Sequence, residues 1–230
     1  MTPTYNLYGK ELPIPKKPEF EVYFDPTTTV VISIDMHEGH LSEADDCPCP
    51  APRGRAIIEA VDAFHRSARQ RGVPVLHVVS KLKQSGLDDI NGIPAAWRHT
   101  MPEYTGPIRG INEHGVSGSK WTELCTEFLE GDELIDTKRR LSAFYPTDLD
   151  FVLRQMGAKT VILTGINTDC CVLNSAFDAS NRNYRVIVLS DATAGTDEYL
   201  EKASLSIISL FLGVVMSSDQ LLKKWSAPLQ

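Results

Sequence analysis

The chain lacks any run approaching the ~18 consecutive apolar residues that a membrane-spanning helix needs, so no membrane partner is expected. It also lacks a basic excess. Its 23 lysines and arginines face 30 aspartates and glutamates, a formal net charge of -7. Nucleic-acid binding needs a concentrated basic face, and the run Lys138-Arg139-Arg140 is too short to supply one; no nucleic-acid partner is expected. Residues 1–17 carry Pro3, Pro13 and Pro15 and lack the apolar stretch of a secretory leader, which makes the cytoplasm the default location. Cysteine is scarce: there are five, and Cys170 and Cys171 are adjacent. An odd number excludes an all-paired disulfide framework. Cys47-Pro48-Cys49 has no second pair to complete a tetrahedral metal site, Cys125 being isolated; a surface loop is the expectation there. No internal repeat and no low-complexity tract is present.

What is present suits one α/β domain. A chain of 230 residues with 42% hydrophobic and 23% charged residues can bury a core of useful size. Residues 1–27 are proline-rich and read as an arm, with residues 28–230 as the domain. Thr28 to Ile34 is β-branched and nearly unbroken, the pattern of a strand buried on both faces. Arg53 to Arg71 has apolar residues at 57, 58, 61, 64 and 68, the spacing of one helical face, and stops at Gly72. Strands are predicted at 73–79, 133–136, 160–163, 184–189 and 214–216. Helices are predicted at 121–129, 147–156, 171–182, 198–212 and 219–225. Between Ser80 and Lys120 the periodicity is weak, and so long a loop in a compact domain is usually functional.

Alternating strands and helices predict a three-layer α/β/α fold, Rossmann-like, with a six-stranded, mostly parallel sheet. In such sheets ligands bind outside the carboxyl ends of the strands. Asp35, Lys138 and the cysteine pair each lie just past a predicted strand end, and so at one edge of the sheet. The cysteines follow the run Val161 to Leu163 and Gly165, where a strand feeds a helix. Unpaired N–H groups at a helix start favour the thiolate, the form that attacks carbonyls. A lysine between a carboxylate and a thiol favours the ionised form of both.

Three motifs carry a resemblance to a known family. They are Val30-Val31-Ile32-Ser33-Ile34-Asp35-Met36, the segment Asp136 to Leu149 beginning Asp-Thr-Lys-Arg-Arg, and Thr164-Gly165-Ile166-Asn167-Thr168-Asp169-Cys170-Cys171-Val172. In this order the chain resembles the isochorismatase-like cysteine hydrolases over roughly residues 28–223. That family includes nicotinamidases, N-carbamoylsarcosine amidohydrolase, biuret hydrolase and ureidoacrylate amidohydrolase. The resemblance implies Cys171 as nucleophile, Asp35 as base and Lys138 as third member. The family pattern Thr-Asp-x-Cys-Val selects Cys171 and leaves Cys170 as the variable position. It also implies a non-proline cis peptide at Ile166–Asn167, and an oxyanion hole from the N–H groups of Asn167 and Cys171. No cofactor and no metal are implied for the thiol chemistry, and a homo-oligomer, dimer or tetramer, is. True isochorismatases cleave a vinyl ether and lack this cysteine, so Cys171 implies acyl transfer from a small amide or ureido substrate.

The chain departs from the family where many members read Asp-x-Gln-x-x-Phe. Here His37 replaces the glutamine and His40 follows, with Leu41 near the aromatic position. Both histidines are candidates for contact with the substrate. With Asp35 they would alternatively bind a metal in a metal-assisted hydrolase, although the nicotinamidase signature of Asp-x-His with a further histidine is not found in its place. Trp97, Trp121, Phe144 and Tyr145 are candidate pocket walls, and Arg139 a candidate fork for a substrate carboxylate. Asp169 is expected to orient its turn. The apolar residues Tyr5, Leu7, Tyr8, Phe20 and Tyr23 of the arm suit packing on a neighbouring subunit. A family fold kept as a non-catalytic module is the remaining alternative.

Overall fold

A computed structural model describes residues 2–92 and 95–226; Met1 and the last four residues of the predicted domain, 227–230, lie outside them. Eight strands form one sheet: β1 (Thr4–Leu7), β2 (Lys10–Pro13), β3 (Thr29–Ile34), β4 (Val75–Ser80), β5 (Glu133–Lys138), β6 (Thr160–Ile166), β7 (Arg185–Ala194) and β8 (Gly213–Met216). Their order is β2-β1-β8-β7-β6-β3-β4-β5. The six strands from β3 to β8 are mutually parallel, as expected, and β1 pairs antiparallel with both β2 and β8.

The chain builds outward from β3 through β4 to β5, then returns to the other side of β3 with β6. The strand order therefore reverses between β3 and β6, which opens a crevice at their carboxyl ends. All six residues of β3 are buried. Val30, Ile32 and Ile34 enter one core with Leu76, Val161, Leu163 and Val188. Val31 enters the other with Val75, Ile162 and Ile187. The two-residue alternation of a strand sends neighbours to opposite faces, so an unbroken apolar run needs a layer on each. The helix Leu173–Asn181 packs Ala176 and Ala179 on the first face. The helix Ile58–Arg69 packs Val61, Phe64 and Ala68 on the second. Each buried valine, leucine, isoleucine or phenylalanine among them stabilises the fold by roughly 1.5–3 kcal/mol.

Gly165 sits in the left-handed region at φ 102. A Cβ there would lie 2.1 Å from the Ile34 carbonyl oxygen. Gly165→Ala is expected to cost about 3–5 kcal/mol, from strain and clash together. Denaturant unfolding of the variant checks this.

The N-terminal segment corrects the sequence expectation. Instead of an arm without elements, residues 4–13 form the hairpin β1–β2, which adds two antiparallel strands to the six parallel ones, and Tyr5, Phe20 and Tyr23 pack on the chain's own core. Its two-residue turn, Tyr8-Gly9, has positive φ at both positions (49 and 78), as a type I′ turn requires. The predicted helix 121–129 is also absent. Only Lys120–Thr122 forms a single 3-10 turn. After it the backbone runs extended beside residues 36–38, with bonds from Glu38 N–H to the Glu123 carbonyl (2.9 Å) and from Cys125 N–H to the Met36 carbonyl (2.9 Å). Cross-chain pairing outweighs the local helical pattern here. Cys47 and Cys49 are buried rather than on a surface loop. Among the described residues no helix is long and apolar enough to cross a membrane.

Candidate active site

Three strand ends meet beside the crevice. Asp35 follows β3 directly, with φ 54, a backbone region that aspartate tolerates better than most residues. Its N–H is held by the Val78 carbonyl at 2.8 Å. Lys138 ends β5, two strands away from β3. Adjacent strands are ~4.8 Å apart, so the lysine must cross the end of β4 to reach Asp35. It does so over Ser80, a small residue paired in register with Lys138. Lys138 Nζ lies 2.7 Å from Asp35 Oδ2 and 3.4 Å from Cys171 Sγ.

Ser80 was not singled out from the sequence, yet it joins the pair. Its hydroxyl donates to Asp35 Oδ1 at 3.1 Å and accepts from Lys138 Nζ at 3.1 Å. The signal that could have found it is positional, since it ends the strand lying between those of Asp35 and Lys138. Ser80→Ala is expected to lower kcat roughly 10-fold with little change in KM. Losing a hydrogen bond to the carboxylate favours its protonated form, so the acidic limb of the kcat/KM profile should move up in pH. A purely structural role would lower the melting temperature and leave that limb in place.

Cys171 lies in a single wide turn, Thr168–Val172, between β6 and the helix Leu173–Asn181. The Ile166–Asn167 peptide is cis, as the resemblance implied. Asp169 accepts the Thr196 N–H at 2.7 Å, which fits its expected orienting role. Ser175 Oγ donates to the Cys171 carbonyl at 2.6 Å and accepts the Ala143 N–H at 2.9 Å, tying the thiol turn to the segment after Lys138.

The groups are nearly closed to solvent: Asp35 is 0%, Lys138 2% and Cys171 8% exposed. Burial pushes the Asp35 carboxyl up, but the Lys138 ammonium and His37 outweigh it and hold it well below its usual range. Burial pulls the Lys138 ammonium down, but the Asp35 carboxylate and the Cys171 sulfur leave it raised overall. The neighbouring Cys170 and burial push the Cys171 thiol up, while Lys138 draws it down. The resting site is therefore carboxylate, ammonium and thiol, with the ammonium placed to receive a thiolate.

The remaining expected site residues divide. His37 is buried beside Asp35, its Nε2 3.8 Å from Asp35 Oδ1. His40 Nδ1 lies 2.9 Å from the Cys49 carbonyl oxygen. Its Nε2 is 3.0 Å from Nε2 of His114, a residue the sequence gave no reason to choose. Burial and neighbouring His37 hold the His40 imidazole down at about 3, and burial and His40 hold His114 well below its usual value. Trp97 begins the helix Trp97–Thr105 and meets His114 edge-on, with ring centroids 5.2 Å apart. Three other expected residues have surroundings of their own. The Arg139 guanidinium is held by Asp88 (2.8 Å) and the Thr137 carbonyl (2.9 Å), so it fastens the loop after β4 instead of standing free for a carboxylate. Phe144 is a core residue, packed near Tyr184. Tyr145 is exposed on the surface.

The chain is similar to several known proteins. The ureidoacrylate amidohydrolase of Methylobacterium radiotolerans is 32% identical, over 88% of this chain and 81% of its own. A protein of Arabidopsis thaliana named as a probable inactive nicotinamidase is 28% identical, over 77% of this chain and 86% of its own. Among solved structures, an isochorismatase-like hydrolase from Alkaliphilus metalliredigens is similar with a TM-score of 0.69 and 28% identity, over 86% of this chain and 100% of its own. The zinc complex of a pyrazinamidase from Pyrococcus horikoshii shares the fold, with a TM-score of 0.67 and 22% identity, over 83% of this chain and 99% of its own. The model of the isochorismatase domain matches residues 29–220, and with that match the chain belongs to the isochorismatase-like hydrolase family.

Proposed function

We propose that this protein is a cysteine-dependent amidohydrolase that cleaves the C–N bond of a small linear amide or carbamoyl (ureido) compound through a thioester. The observation that carries this reading is the meeting of Lys138 Nζ with Asp35 Oδ2 at 2.7 Å and Cys171 Sγ at 3.4 Å. Asp35 takes the proton of the Cys171 thiol, and Lys138 stabilises the thiolate as it forms. The sulfur attacks the carbonyl, and the N–H groups of Asn167 and Cys171 hold the oxyanion. As the C–N bond breaks, the proton on Asp35 passes to the leaving ammonia or amine. Asp35 then draws a proton from water, whose oxygen attacks the thioester and returns the thiol with release of the acid.

Near-closure of the site supports a small substrate, and exclusion of water strengthens each charge interaction within it. No cofactor enters these steps. The proposal includes a homo-oligomer, supported by exposed Tyr199, Leu210 and Phe211 on the helix Glu198–Phe211; molar mass by light scattering checks it.

The test is ammonia release from a panel of small amides and ureido compounds, including the ureidoacrylate for which the Methylobacterium relative is named. Release by the parent protein that disappears in Cys171→Ala supports the reading. Equal release by both proteins contradicts it.

A further inference from the structure

We propose that His37, His40 and His114 bind one divalent transition-metal ion of the zinc type. The steps above leave all three unused. One ring nitrogen from each lies within 4.8 Å of the others, and the residues are 0%, 6% and 7% exposed. His37 and His40 come from the turn after β3, and His114 from the long segment between β4 and β5.

Two observations point to a ligand. His37 Nε2 is fully buried and makes no hydrogen bond, Asp35 Oδ1 standing beside it at 3.8 Å, beyond bonding distance; a buried polar atom left so is costly. His40 Nε2 and His114 Nε2 face each other at 3.0 Å, where neutral rings supply one proton between two nitrogens. One ion would satisfy all three nitrogens together. Ligands at ~2.0–2.1 Å from a tetrahedral ion stand about 3.3 Å apart, so the His40–His114 pair needs to open by only a few tenths of an ångström. The Cys49 carbonyl accepts the His40 Nδ1 proton at 2.9 Å. This fixes the tautomer that leaves Nε2 for a metal, the usual outer support of a ligating histidine.

His37 must give most. Its Nδ1 accepts the Gly39 N–H at 3.2 Å, so ligation through Nε2 shifts the ring proton to Nδ1 and releases that bond. Each imidazole ligates in its neutral form. Three imidazoles without thiolate or carboxylate favour zinc, cobalt or nickel over magnesium or calcium. The bound ion would fasten the segment carrying His114 to the turn carrying Asp35, placing a wall beside the thiol site.

The experiment uses Cys171→Ala protein stripped with a chelator and titrated with Co²⁺, then with Zn²⁺ in competition. Since that variant removes the proposed nucleophile, metal binding is read independently of hydrolysis. The expected result is one equivalent of Co²⁺ with the visible bands of a four-coordinate ion, quenching of tryptophan emission through Trp97, and displacement by Zn²⁺. His114→Ala, and the milder His114→Gln, should each weaken binding more than about 100-fold. Absence of any Co²⁺-dependent signal, unchanged affinity in both His114 variants, or a sulfur-to-cobalt charge-transfer band would overturn the proposal.

Discussion

Cys171→Ala is expected to lower turnover about 10⁴-fold or more, whereas Cys170→Ala should stay within roughly 10-fold of the parent. Both thiols lie in the same wide turn, and composition alone does not separate them. Lys138 does, because its ammonium is 3.4 Å from the Cys171 sulfur and stabilises negative charge as it develops there. Cys170 is only partly buried and stands at the variable position of the family pattern. Steady-state rates of both variants check these outcomes.

Breaking the Asp35–Lys138 pair is the second large effect. Each group is buried, and removing one leaves the other charged without its partner, at a cost of about 3–5 kcal/mol. Asp35→Asn and Lys138→Met should each also lower kcat about 10²–10⁴-fold. The pH dependence has a definite sign. Asp35 is depressed in the folded state, so its stabilising contribution is present above the unfolded carboxylate value and is lost as pH falls through the folded one. Lys138 is raised, so its contribution is present below the unfolded lysine value and is lost as pH rises through the folded one. Across the neutral range the parent keeps both. In Lys138→Met the isolated carboxyl is raised by burial, and the variant should recover relative stability on acidification. Asp35→Asn leaves an isolated ammonium and should recover toward alkaline pH. The double variant should regain most of the stability lost by either single one and none of the activity. Denaturant unfolding at several pH values distinguishes these cases.

Most of the parallel strands were readable in the sequence because each is a short β-branched or apolar run buried on two faces, whereas β5 is a half-exposed edge strand whose only apolar residues are Leu134 and Ile135. Asp35 and the cysteines could be placed at one sheet edge because each stands just past such a run, and Lys138 because it closes β5. The hairpin at residues 4–13 was hidden by Pro13, by Pro3 and Pro15 flanking it, and by Tyr8 at a turn position where asparagine or aspartate is the usual signal. Trp121 to Leu129 failed as a helix because its backbone pairs with the turn after Met36, a long-range choice that no local window contains. Ser80 and His114 were missed for different reasons. The serine's role follows from a lysine crossing the intervening strand, and the histidine lies in a segment without periodicity. Arg139 carried the right chemistry for a carboxylate and found one within its own chain, on Asp88.

The account rests on a covalent bond to one sulfur. A compound from the amide panel that releases ammonia should be mixed with the protein, quenched in acid within a turnover, digested and weighed by mass spectrometry. The peptide containing residues 160–182 is expected to gain the mass of the acyl group, with fragmentation assigning it to Cys171. Full turnover with no adduct on that peptide, or an adduct on Cys170 alone, would contradict the account.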